Sequence, residues 1–128
     1  MNPDAQGTVY PAVEFLVEPQ RVDAFRRVFG QAAGVPPTFL TAAEFTAFPA
    51  VLGDPNLGLD FSRVVHGSQE YEYQRPLREG ETLSVVARIG SIRRKGDTAF
   101  LTIIMDVFGD DGALAATAIS VMIERAAG

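Results

Sequence analysis

Along residues 64–124 polar and apolar positions alternate with a period of two, block after block. Tyr71 and Tyr73 alternate with Glu70 and Glu72, and Leu83, Val85, Ala87 and Ile89 share one face of an extended chain. Period-two alternation marks strands that bury one face. The pattern predicts strands over 64–76, 81–94, 98–108 and 113–124. The runs FLTIIMDVF and ATAISVMI add the β-branched and aromatic residues that suit a pleated surface. Lys95-Gly96-Asp97 and Gly109-Asp110-Asp111-Gly112 are the expected hairpin turns, since Gly and Asp reach positive φ at little cost. Four strands in succession with such turns read as an antiparallel meander.

The first half is patterned differently. Residues 1–8 are small and polar and read as a loose tail. VYPAVEFLV, at 9–17, reads as a short strand, with Pro11 tolerated at its start or on an edge. Pro19 then opens a helix whose stripe is Val22, Phe25, Val28 and Phe29, and Gly30 and Gly34 end it. After the Pro36-Pro37 break, FLTAAEFTAFPAVL at 39–52 is apolar on almost every side. Thr38 or Thr41 is placed to cap this helix, with Glu44 three residues after Thr41 as in a capping box, and Pro49 falls in its last turn. A helix apolar nearly all round is buried on nearly all sides. The expected architecture is therefore α+β, with an antiparallel sheet curled around one central helix, in a single domain over 1–128.

Bulk properties narrow the chemistry. The net charge of −5 and pI near 4.7 argue against nucleic-acid binding. There is no cysteine, and the single histidine, His66, belongs to no zinc-ligand cluster, so neither metal nor cofactor is expected. No apolar run reaches the roughly 18–20 residues that span a bilayer. MNPDAQGTVYP has no basic segment followed by an apolar one, so a cytoplasmic protein is expected.

Two stretches carry a resemblance: VPPTFL at 35–40 and VVHGSQEYEYQRPLREGETL at 64–83. Together they resemble the N-terminal, FAS1-type domain of the MaoC-like dehydratases, a group that includes the small subunits of actinobacterial (3R)-hydroxyacyl-ACP dehydratases. In that family a PPTF element opens the central helix, and an HGxQ…RP…GD-L element forms the next strand and the turn after it. Here the matching residues are His66-Gly67, Gln69, Arg75-Pro76 and Gly80, with Glu81 in place of Asp. The resemblance implies a hot-dog fold and reversible water addition to a 2-enoyl thioester on CoA or an acyl carrier protein. It also implies pairing with a second hot dog, in a homodimer or in a heterodimer whose partner is catalytic. The departure matters more. Catalytic members supply an Asp and a His from a D-x-N-P-x-H loop before the central helix. The corresponding segment here, GQAAGVPPTF at 30–39, holds neither. No catalytic residue can be carried over.

The candidate residues each have a plain reading beside the functional one. His66, with an ordinary pKa of about 6.5, has the chemistry of a general base. As a structural residue it would start the strand and bond locally; between the two, His66 and Gln69 would line an acyl tunnel. Thr38 and the amides of residues 38–40 either cap the helix or face a thioester oxygen. Phe39, Phe45, Phe48, Tyr71 and Tyr73 either fill the core or line an acyl cavity. Arg93, Arg94 and Lys95 are a solvated turn, or a patch for CoA phosphates or an acidic carrier protein. The leading expectation is a non-catalytic, substrate-positioning hot-dog subunit. The alternatives are an acyl- or polyketide-binding tailoring protein without hydratase activity, and an independent enzyme using His66 with Asp60 or Glu44.

Overall fold

The computed structural model describes residues 1–30 and 33–126. Strand β1 (Val13–Leu16) is followed by helix α1 (Pro19–Phe29) and the central helix α2 (Leu40–Leu52). Strands β2 (Val64–Tyr73), β3 (Thr82–Lys95), β4 (Thr98–Phe108) and β5 (Leu114–Glu124) complete the chain. All pairings are antiparallel, in the order β1-β3-β4-β5-β2. The expected hot-dog arrangement is present, as an unclosed five-stranded sheet with α2 against one face. Two sequence-level expectations fall here. The meander holds only for β3, β4 and β5, because β2 lies on the far edge, beside β5. Residues 74–81 link β2 to β3 across the mouth of the sheet, and that link is too long and too proline-interrupted for a tight hairpin. β2 also stops at Tyr73, short of residue 76.

The sheet's inner face follows the alternation in the sequence. Leu83, Val85, Ala87 and Ile89 of β3, Leu101, Ile103, Met105 and Val107 of β4, and Ala116 and Ala118 of β5 are all buried. They pack against Leu40, Ala43, Ala47, Phe48 and Val51 of α2. Leu57 closes the floor and draws in the N-terminal residues: Asn2 N–H donates to the Leu57 carbonyl, and Gly7 N–H to that of Ile89. Residues 1–8 are therefore pinned, with Ala5 buried, and are not a loose tail. Val9 only bridges Arg88, and β1 proper starts at Val13.

Three further corrections concern the helices. α1 docks only through its first half: Val22 is buried and Phe25 half-buried, but Val28 and Phe29 are 78% and 64% exposed. α2 is not enclosed all round either, since Phe45 is 66% exposed. Five strands cover one side of α2 and leave the other open. Finally, neither Thr38 nor Thr41 caps it. Pro37–Phe39 form a 3-10 turn that runs directly into α2, so Thr41 sits inside the helix and Glu44 is turned into the protein. Pro49 lies within α2, which continues to Leu52. The segment before α2 begins at Gly30, in the left-handed region at φ 71°; its next two residues, Gln31 and Ala32, lie outside the described residues.

Candidate functional site

Between α2 and the inner face of β2 lies a cavity of about 440 Å³, walled by Thr41, Glu44, Phe45, Phe48, Leu52, Phe61, Val64, His66, Gln69, Tyr71 and Met122. The register of β2 explains how these residues meet. His66 and Gln69 are three positions apart, and in a regular strand they would point to opposite faces. The pairing with β5 instead passes from His66↔Met122 to Ser68↔Val121, so Gly67 is an extra residue in a bulge. Val64, His66, Gln69, Tyr71 and Tyr73 all lie opposite buried residues of β5 and share the inner face.

The polar end of the cavity is a connected network. The Tyr71 hydroxyl donates to Glu44 Oε1 at 2.6 Å and lies 2.5 Å from Thr41 Oγ1. Gln69 Nε2 donates to Glu44 Oε2 at 3.1 Å, while the Ser120 hydroxyl donates to Gln69 Oε1 at 2.6 Å. Tyr73 O–H reaches the Pro37 carbonyl and ties β2 to the start of α2. Burial pushes the Glu44 carboxyl above the usual carboxylate range, against the donors from Tyr71, Ser120 and Gln69 and the charge of His66, which pull it down. The Tyr71 phenol is raised by burial and by its hydrogen bond to Glu44, and that of Tyr73 is pushed up to about 12, mainly by burial.

A raised carboxyl has a definite stability signature. The folded protein binds the Glu44 proton more tightly than the unfolded chain, whose carboxyl titrates near 4.3. Stability therefore falls as pH rises from the ordinary carboxylate value through the raised one. Glu44→Gln is expected to remove that fall. Thermal melting of both proteins across this range checks it, and parallel pH profiles would contradict the assignment.

The candidate residues separate in space. Phe45, His66, Gln69 and Tyr71 meet at the cavity. Phe39 is in the core, 6.2 Å from the Phe15 ring and 5.4 Å from that of Phe25, and reaches only a second groove between α1 and α2. Thr38 is exposed at the start of α2, outside the cavity wall. Arg93, Arg94 and Lys95 border a groove with Phe100, Thr102 and Val121 on the outer face, so the sheet stands between them and the cavity. The local bond expected for His66 is not found: its ring has no hydrogen-bond partner among the described residues. Asp60 is held by Ser62 and Arg63, which keep its carboxyl low, and it does not line the cavity. Sequence reasoning missed Glu44 as a buried wall residue, along with Ser120, Thr41, Phe61 and Met122. One signal was available: Glu44 is the only charged residue in a helix that is apolar apart from Thr41 and Thr46.

The family described as "FAS1-like, dehydratase domain region" matches residues 23–118. A "UPF0336 protein" of Streptomyces griseus is 40% identical over 111 residues, 85% of this chain and 74% of the relative. Another, from Streptomyces avermitilis, is 42% identical over 92 residues, so the match spans only 61% of that relative. A third, from Clavibacter michiganensis, aligns over 143 positions at 31% identity, more positions than this chain has residues, so it carries residues that this chain lacks. Among solved structures, the fold is similar to "C terminal truncated HadBC (3R-Hydroxyacyl-ACP Dehydratase) complex from Mycobacterium tuberculosis". That similarity has TM-score 0.80 and 17% identity, covering 96% of this chain and 99% of that one. A chain described as "MaoC-like dehydratase" matches with TM-score 0.83 and 15% identity, over 96% of this chain and 43% of that one.

Proposed function

The chain belongs to the FAS1-like dehydratase-region family, and from that premise we propose that it is the substrate-positioning half of a hydratase/dehydratase acting on 2-enoyl and 3-hydroxyacyl thioesters. The observation that carries this reading is the pairing of an acyl-sized cavity with a helix-start segment that lacks the family's Asp and His. The cavity wall is mostly Phe, Leu, Val and Met, as a hydrocarbon chain requires. Water addition needs a base for the water and an acid for Cα, and the segment from Gly30 to Phe39 brings neither. A partner hot dog supplies the pair in this reading. β2 offers it a place: ten residues long, at the edge of the sheet and largely exposed. The neighbouring HadBC complex, a (3R)-hydroxyacyl-ACP dehydratase of two kinds of chain, sets the precedent. A homodimer is the second assembly open to the same edge. The whole chain acts as one domain, in cytoplasmic fatty-acyl metabolism, on CoA or carrier-protein thioesters. Thr38 and Phe39 support the start of α2, Phe45, His66, Gln69 and Tyr71 contact the acyl group, and Arg93, Arg94 and Lys95 form the carrier-facing patch.

The test is hydration of a short and a long trans-2-enoyl-CoA, followed by loss of enoyl absorbance. The purified chain alone is expected to give no turnover. Mixed with a hot-dog subunit that carries D-x-N-P-x-H, it is expected to raise that subunit's rate on the long substrate. Turnover by the chain alone, lost in His66→Ala at unchanged melting temperature, would replace this reading with an independent enzyme.

A further inference from the structure

The cavity is graded from one end to the other. Along α2 its wall runs Thr41, Glu44, Phe48, Leu52, and along β2 it runs Tyr71, Gln69, His66, Val64. The bonds from Tyr71 and Gln69 to Glu44 fix these two series side by side. One end is thus a hydrogen-bonding surface and the other, with Phe61 and Met122, is hydrocarbon.

Glu44 is 1% exposed, and among the described residues no Lys or Arg pairs with it. The groups around it are Tyr71, Gln69, Ser120 and, further off, His66. A carboxylate offers about four acceptor positions. Tyr71 and Gln69 fill two. The Ser120 hydroxyl, 2.6 Å from Gln69 Oε1 and 3.3 Å from Glu44 Oε2, has one proton to divide between them and fills at most a third. Acceptor capacity is therefore left over on a buried carboxyl in the wall of an apolar cavity. A plain methylene chain lying there would exclude water and give that carboxyl nothing in return. A hydroxyl at that point would satisfy it.

We infer that this cavity selects an acyl chain bearing a hydroxyl along its length, with Glu44 accepting from that hydroxyl and Tyr71 and Gln69 holding Glu44 in place. The inference deepens the acyl-positioning reading and rests on it. Selection against the unsubstituted chain follows from the same geometry, because a site built around a polar group discriminates strongly against a ligand that lacks its partner.

The test is calorimetric binding of dodecanoyl-CoA and of its hydroxylated forms, with the hydroxyl at carbon three, six or twelve, to the full chain. Wild type is expected to bind the six- or twelve-hydroxy thioester at least about tenfold more tightly than dodecanoyl-CoA. Glu44→Leu is expected to abolish or reverse that preference, and Glu44→Gln, which keeps the shape and one acceptor, to reduce it. The conservative variant keeps the test valid if the leucine protein does not fold. Equal affinity for all four thioesters would overturn the inference while leaving an acyl-binding protein. A preference confined to the three-hydroxy form would also overturn it, since it would put the reacting end of the acyl group at Glu44. A preference that survives both substitutions would remove Glu44 from the account. No binding of any thioester would overturn this inference and the acyl-positioning function together.

Discussion

Arg75→Ala is expected to destabilise the protein by about 3 kcal/mol, the low end of the cost of stripping one partner from a buried ion pair. Arg75 donates to both oxygens of Glu81, at 2.7 and 3.0 Å, and the Glu81 side chain is only 3% exposed. Without the guanidinium, Glu81 keeps one firm donor, the amide of Arg78 at 2.6 Å. The pair also organises the backbone. Glu81 stands where β1 meets β3: its carbonyl accepts from Val17 N–H, and Gly80 N–H donates to the Val17 carbonyl. The guanidinium lies over Gly109, where an added Cβ would come within 2.1 Å of it, so the bridge clamps the β2–β3 link against the β4–β5 turn. Burial raises the Glu81 carboxyl, but the bonds and charges of Arg75 and Arg78 outweigh it and the net direction is down. A lowered carboxyl contributes stability above the ordinary carboxylate value, lost as pH falls through the folded one. The gap between wild type and Arg75→Ala, read from urea midpoints, should therefore be full near neutral pH and shrink in acid. The double variant Arg75→Met, Glu81→Leu removes both charges and is expected to regain most of the loss. A single variant as stable as wild type at pH 7 would refute the clamp.

The same residues show which parts of the molecule were legible beforehand. Long strands with one buried face announce themselves, and β3, β4 and β5 fall within a residue or so of the predicted bounds. Their neighbours were also legible, because Gly- and Asp-rich turns join them in order. The place of β2 was not, since alternation fixes a strand's faces and says nothing of which edge it joins. Glu44 was misread because Thr41-x-x-Glu44 has the spacing of a capping box. The 3-10 turn at Pro37–Phe39 moves the helix start upstream, and the motif then sits inside the helix with its glutamate facing inward. Phe45 was expected inside because periodicity cannot tell a face covered by the same chain from one left open. The HG…Q…RP…GE pattern served only as a resemblance, and its physical content emerges from geometry: a bulge, a network donor and a buried ion pair.

Replacing Gly67 with valine is expected to be more damaging than deleting it. An added Cβ at Gly67 would lie 2.7 Å from Ile123 Cδ1 and 3.2 Å from the Val121 carbonyl oxygen. The first contact can yield by a rotation of Ile123, but the second is backbone of a strand fixed on both sides by β4 and β2. Overpacking of this kind costs about 1–3 kcal/mol, and here it forces β2 away from β5 at the cavity's edge. Deletion acts differently. Met122 and Val121 are consecutive on β5, and they already pair with His66 and Ser68. Removing the residue between those two closes the bulge and leaves every inner-face residue facing inward, where the usual one-residue slip would reverse them. The shortened strand loses its local bend but keeps Gln69 and Tyr71 on Glu44 and His66 toward the cavity. Chemical denaturation and dodecanoyl-CoA binding, measured on both variants, separate the two effects. The valine protein should lose stability and weaken acyl binding by at least about tenfold, and the deletion should keep more of both. If the deletion is the worse of the two, the bulge is holding the sheet's curvature, and it is that curvature, not the facing of His66 and Gln69, that keeps the cavity open.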